Sequence, residues 1–206
     1  MPGVSTTRLG EDPALGGATP LSEVEREKLG GVADENGKAG DHATSAFSAI
    51  EPLFDDVRGR FGLATKTYYL YGHSAGAQFA HRFAMFGFGP RASAVISANA
   101  GWYTFPGSGD WPYGPDRLSE GLYDPDTALA APLAVLAGEA DTDPMHPSLR
   151  RSRQANAQGA ARYDRALAFY AAGAELAAAD VRAGERILLK TANSPRAWAS
   201  PTRRSR

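Results

Sequence analysis

The chain has 206 residues, and its 43% hydrophobic content is enough to bury the core of one compact domain. Its 22 basic and 23 acidic residues leave a formal net charge of -1, so no overall charge favours nucleic acid or a membrane surface as a partner. The absence of cysteine excludes disulfides, thiolate metal sites and cysteine nucleophiles.

The N-terminal stretch lacks the apolar core of a secretory signal, and no segment approaches the roughly 18 apolar residues of a membrane span. We therefore expect a soluble, cytoplasmic protein. Residues 1–44 are rich in Gly, Pro, Ser, Thr and charged residues, which predicts a flexible or weakly ordered segment. An ordered domain is expected over residues 45–190, followed by a basic disordered tail over residues 191–206.

The first strong helix pattern begins near residue 46. Apolar residues recur there at spacings of three and four, at Phe47, Ile50, Phe54, Val57 and Phe61. Ser48 fits the N-cap, with Glu51 three residues later, and Gly62 fits the end of the helix.

Short apolar runs then predict strands. Tyr68–Tyr71 has no polar alternation, as expected of a strand that is covered on both faces. Two further runs, Ala92–Ala98 and Ala131–Ala137, predict a second and a third strand, and residues 184–190 fit a fourth.

Helices are predicted between these strands, over residues 77–86 and about 151–179, the latter with a weak apolar face of Leu167, Tyr170 and Leu176. Alternating strands and helices predict an α/β fold with a parallel sheet and flanking helices. A sheet of only three or four strands has exposed edges, which favours association into a homo-oligomer.

The segment that follows the first strand reads Gly72-His73-Ser74-Ala75-Gly76. A tight turn from a strand into a helix exposes one side chain at the end of the sheet, and small residues are needed where strand and helix approach. A serine placed there can act as a nucleophile if a base accepts its proton and N–H donors bind the oxyanion. Ser74 is therefore the predicted nucleophile.

Several segments carry a resemblance to a known family: YGHSAGAQFAHRF, ANAGWYTFP, WPYG and LAGEADTDP. The chain resembles bacterial α/β-hydrolase-fold proteins of the esterase and polyhydroxyalkanoate-depolymerase-like type over about residues 45–170. The resemblance implies hydrolysis of a small-molecule ester or acyl substrate without a cofactor or a metal. It fades at both ends, which predicts a chain that is truncated or altered there relative to the family.

The family orders its catalytic residues as serine, then acid, then histidine. The resemblance places the acid at Asp141, three residues after Gly138, with Asp143 as the second choice. Only His146 among the histidines follows Asp141, so it is the predicted base, and it can serve only if its loop folds back over Ser74.

The other three histidines fit a base less well. His73 is expected at the rim of the pocket, His81 within its helix, and His42 in the weakly ordered segment. The backbone N–H of Ala75 is the predicted oxyanion donor.

Residues 101–128 form a long aromatic connection. Its residues Trp102, Tyr103 and Trp111 are expected to line an apolar substrate pocket, and packing within the loop is an equal alternative.

Two other functions stay open at this point. A hydrolase-like fragment without activity, serving at most to bind a partner, fits the lack of a well-placed histidine. An acyltransferase shares the GHSxG pattern, but such enzymes have a glutamate directly after it, where this chain has Ala77 and Gln78.

Overall fold

The computed structural model describes residues 29–179 and 188–191. Within these residues, four parallel strands form one sheet in the order β1-β2-β3-β4: β1 Tyr68–His73, β2 Ala92–Ala98, β3 Leu133–Ala137 and β4 Leu188–Thr191. The α-helices in these ranges are α1 Ile50–Phe61, α2 Ala75–Met85, α3 Pro125–Ala130, α4 Arg153–Ala157 and α5 Arg162–Ala179. The predicted parallel α/β architecture is confirmed.

One face of the sheet carries the core. Helix α2 packs on β1 and β2, and α5 packs on β3 and β4. The two helices also meet each other, since the rings of His81 and Phe169 lie 5.6 Å apart. Beneath them, Val95 and Val135 are 1% and 0% exposed. Burial of such side chains contributes about 1.5–3 kcal/mol each, so this face supplies much of the stability.

The opposite face of β1 is exposed in the described part of the chain. Tyr69 and Tyr71 are 74% and 59% exposed, whereas Tyr68 and Leu70 are partly buried. The prediction of a strand that is covered on both faces is therefore wrong for β1. The reason is that, among the described elements, α2 is the helix with extensive contacts to β1, and it covers one face.

Helix α1 ends as predicted but begins differently. Gly62 adopts a left-handed conformation, with φ 61°, and ends the helix. The predicted cap is wrong, because Ser45 caps a short 3-10 turn over Ala46–Ala49 that precedes α1, and its hydroxyl accepts from Ser48 N. Phe61 is 72% exposed, so the apolar stripe is shorter than its spacing indicated.

Part of the segment 29–44, which falls in the region predicted to be weakly ordered, packs onto the rest of the domain. Leu29 and Val32 are 1% and 2% exposed. The carbonyl oxygen of Asp34 accepts from Trp111 Nε1 at 2.8 Å, and that of Gly37 accepts from Ser119 N at 2.9 Å. These contacts join the segment to the long loop over residues 101–124. The predictions for residues 1–28 and 192–206 lie outside the described residues.

No helix within the described ranges is long and apolar enough to cross a membrane.

Candidate active site

The turn between β1 and α2 consists of one residue, Ser74. Its backbone has φ 53° and ψ -108°, a conformation that is strained for a residue with a side chain. Its N–H donates to the carbonyl oxygen of Ala98 on β2 at 2.9 Å, and its own carbonyl accepts from Gln78 N at 3.2 Å. These bonds fix the turn, so the serine side chain lies at the carboxyl end of the sheet and at the first turn of α2.

The two glycines around Ser74 have different roles. A Cβ built on Gly72 would lie 2.1 Å from the carbonyl oxygen of Gly76, so only glycine fits there. A Cβ on Gly76 would have no neighbour within 4 Å. The predicted need for a small side chain therefore holds at Gly72 and not at Gly76.

The Ser74 side chain is half-buried, and His73 and Ala75 beside it are exposed. The structure records no hydrogen bond from the Ser74 hydroxyl to any residue that it describes. The N–H groups of the first turn of a helix have no carbonyl partner within that helix, and Ala75 is the first residue of α2. Its N–H is therefore available to an oxyanion next to Ser74.

Asp141 lies in the loop after β3, at the carboxyl end of the strands, where Ser74 also lies. Register places His73 beside Ala98 and Ala98 beside Leu136, so the ends of three strands meet there. The Oδ2 atom of Asp141 accepts from Asn99 Nδ2 at 2.8 Å. Its Oδ1 atom accepts from Arg162 Nη1 at 3.2 Å, in an ion pair whose side chains are 23% and 6% exposed.

Asp143, the second choice for the acid, is exposed, and its Oδ1 atom accepts from Met145 N at 2.8 Å within its own turn. This contact closes a local turn. Asp141, in contrast, contacts Asn99, the residue that follows β2 at the same end of the strands as Ser74.

His146 is held by neighbours other than Ser74. Its Nδ1 atom lies 3.3 Å from Ser148 N and 3.4 Å from Arg162 Nη2, both of which can only donate. The hydroxyl of Ser148 lies closer still to Nδ1, at 3.0 Å. The Nδ1 atom is thus surrounded by Ser148 and Arg162. The described residues show no hydrogen bond from His146 to Ser74 or to Asp141.

His81 and His42 have partners other than Ser74. His81 is fully buried, and its Nδ1 donates to Ala77 O at 2.9 Å while its Nε2 accepts from Thr104 N at 3.0 Å. Burial lowers the pKa of His81 well below its usual value, so the ring stays neutral. The ring of His42 stacks on Phe88 with centroids 4.3 Å apart. The prediction that His81 packs within its helix is confirmed.

The aromatic residues that were expected to line a pocket are buried instead. Trp102, Tyr103 and Trp111 are 1%, 0% and 6% exposed. The guanidinium of Arg82 lies over the ring of Trp102 at 4.2 Å, and burial lowers the pKa of Arg82 to about 9. The ring of Tyr103 stacks on Phe169 at 4.5 Å. These side chains pack the long loop onto α2 and α5, as in the alternative to the pocket prediction.

Sequence reasoning missed two residues of this site, Asn99 and Arg162. The first follows β2 directly and has φ 51°, and asparagine tolerates this conformation better than most residues. A polar residue of this type at the end of a buried strand was a usable signal. Arg162 begins α5 far along the chain from Asp141, and no spacing rule indicates their contact.

The fold defines the class of protein: a nucleophile-type turn after a parallel strand, with an acid after a later strand, occurs in the α/β-hydrolase fold. Comparison with solved structures agrees. The chain is 38% identical to poly(aspartic acid) hydrolase-1 from Sphingomonas sp. KT-1 over 80% of its residues, with a TM-score of 0.73. It is 31% identical to LpqC, a poly(3-hydroxybutyrate) depolymerase from Bordetella parapertussis, over 82% of its residues, with a TM-score of 0.70.

The chain has an α/β-hydrolase-type fold and is similar to these two depolymerizing hydrolases. It spans 62% and 57% of their lengths. No protein-family model matches it, and no curated protein does.

Proposed function

We propose that this chain is a carboxylic-ester hydrolase in which Ser74 is the nucleophile. The observation that carries the proposal is the strained backbone of Ser74, which sets its side chain at the end of the sheet and at the start of α2. Strain of this kind persists only where the surroundings enforce it, and it is concentrated at functional sites.

The chemistry would proceed in two steps. Ser74 Oγ attacks the ester carbonyl, the hydroxyl proton passes to a base, and the Ala75 N–H binds the oxyanion. The alcohol leaves with a proton, and water then hydrolyses the acyl-serine to release the acid. Asp141 would orient and stabilise the protonated base.

The substrate we propose is a polymer rather than a small enclosed ligand. The residues beside Ser74, among them His73 and Ala75, are exposed. A cavity of 230 Å³ lies elsewhere, at the other end of the sheet, with Val95 and Pro132 in its lining. An open site suits a chain that runs past the serine, and both similar proteins are named for action on polymers.

A second candidate is a hydrolase-like protein without turnover. It is favoured by one observation: none of the four histidines, all of which lie in the described part, is hydrogen-bonded to Ser74. Loss of a triad member lowers the rate by several powers of ten without unfolding the protein.

The test is intact-mass labelling of the purified chain with a fluorophosphonate, in the absence and presence of added imidazole, with Ser74→Ala as the control. The proposal expects one phosphonyl group on the wild type and none on the variant. Labelling that needs imidazole would show a formed nucleophile without its base, and would favour the second candidate for the chain alone. A folded wild type that is unlabelled in both buffers would overturn the proposal.

A further inference from the structure

We infer that Asn99 is a positioning residue that holds the carboxylate of Asp141 in a fixed place relative to Ser74, an inference that rests on the proposed function. Its side-chain amide makes two contacts across the end of the sheet. The Oδ1 atom accepts from Gly138 N at 3.1 Å, and the Nδ2 atom donates to Asp141 Oδ2 at 2.8 Å. A rotated amide would place its oxygen against the carboxylate, so only one orientation fits.

The backbone of Asn99 connects this amide to the nucleophile turn. Its N–H donates to Leu136 O on β3 at 3.0 Å, and the carbonyl of the preceding residue, Ala98, accepts from Ser74 N at 2.9 Å. Adjacent residues of one strand end therefore bind the serine turn on one side and the acid loop on the other. The position of the acid relative to Ser74 is set through two consecutive peptide units.

The space for the amide comes from a glycine. A Cβ built on Gly138 would lie 2.6 Å from Asn99 Nδ2 and 3.3 Å from its Oδ1. Any larger residue at position 138 would displace the amide. Together with φ 51° at Asn99, this close approach shows that the contact is built into both strand ends.

The contact matters for reactivity because Asp141 is also bound from the other side. Arg162 Nη1 donates to its Oδ1 atom, and Arg162 Nη2 donates to Ser148 Oγ at 2.8 Å. Without the amide, Arg162 is the one side chain among the described residues that still binds the carboxylate, which can then rotate out of place. A misplacement of about 1 Å at a catalytic group can lower the rate about 100-fold.

The experiment compares the rate of fluorophosphonate labelling of Ser74 in wild type, Asn99→Gly and Asn99→Asp, with imidazole added if the wild type needs it. Glycine tolerates the left-handed backbone, so Asn99→Gly removes the amide without adding strain. We expect about 10-fold to 100-fold slower labelling with little change in melting temperature. Arg117→Gly is the matched control, since Arg117 is exposed, has φ 70°, and is expected to leave the rate unchanged.

Asn99→Asp keeps an acceptor for Gly138 N–H but places a second carboxylate against Asp141. Because two adjacent carboxylates cannot both ionise easily, the pH profile of labelling should shift to higher pH. A purely structural role for Asn99 would lower stability and leave this profile in place. Labelling of Asn99→Gly at the wild-type rate with an unchanged profile overturns the inference alone, whereas a wild type that never labels overturns the proposed function and the inference with it.

Discussion

Gly72 and Gly76 touch through their backbones, since the space where Gly72 would carry a Cβ is filled by the carbonyl group of Gly76 at 2.1–2.3 Å. The approach of β1 to α2 thus depends on one glycine of the pair. The other glycine lies in the helix with open space around it. The same substitution at the two positions should therefore have opposite effects.

We expect Gly72→Ala to lower the free energy of unfolding by about 2–3 kcal/mol, because the new methyl group overlaps backbone atoms that cannot move away. Gly76→Ala should raise it by about 0.5 kcal/mol, because alanine loses less backbone entropy in a helix. Urea unfolding of both variants measures the difference. Equal effects at the two positions would show that the turn does not have this geometry.

The buried, neutral His81 predicts a specific dependence of stability on pH. Its folded pKa lies well below 6.5, so between these two values the unfolded chain binds a proton that the folded chain does not. The free energy of unfolding should therefore fall as the pH drops below about 6.5, by up to about 1.4 kcal/mol per pH unit. Denaturant unfolding between pH 7.5 and 5 measures this slope.

Two variants assign the slope to His81. His81→Gln cannot titrate and should lose it, whereas His73→Gln, at an exposed position, should keep it. Two carboxylates with lowered pKa values do not contribute to this slope. Arg91 lowers the pKa of Asp55 and Thr127 lowers that of Asp124, so these carboxylates lose their stabilising effect only below about pH 4. A slope that survives in His81→Gln would assign it to other groups.

Gly138 and Asn99 should act as one unit. Gly138→Ala displaces the Asn99 amide, so it should slow the labelling of Ser74 about as much as Asn99→Gly does. A double-mutant cycle tests this coupling. The double variant is expected to react no more slowly than the slower single variant, and multiplicative effects would mean that the two residues act independently.

His146 should be dispensable for the reactivity of Ser74. Because its Nδ1 accepts from Ser148 and Arg162, we expect His146→Ala to change the labelling rate by less than about tenfold. Ser74→Ala, which lacks the labelled hydroxyl, gives the background rate of this assay. A decrease by several powers of ten would instead identify His146 as the base, after a rotation of its ring.

Local patterns in the sequence predicted the elements that position the serine. Strand β2 has the predicted bounds, Ala92–Ala98, because a continuous run of small and apolar residues is followed by polar Asn99. The turn at Ser74 was predictable because the steric requirement for Gly72 is local. The location of Asp141 after β3 followed from the resemblance.

Contacts between distant segments were not predictable in this way. The alanine-rich helix α5 buries Ala166 and Phe169, whereas Leu167 and Tyr170, chosen for their apolar character, are only partly buried. In a helix with so many alanines, the neighbours decide which face is inside. The burial of Trp102 likewise depends on Arg82 of α2, which no periodicity indicates.

The hydrogen bonds between residues 29–44 and the loop over residues 101–124 also have a consequence for folding kinetics. Trp111 reaches Asp34, and Ser119 reaches Gly37, across about 80 positions of intervening chain. Closing so large a loop costs entropy before any contact compensates for it, and it slows folding. The aromatic loop should therefore be among the last parts of the molecule to order. A protease cut between residues 34 and 37 should free this loop from its hydrogen-bond partners before it affects the sheet.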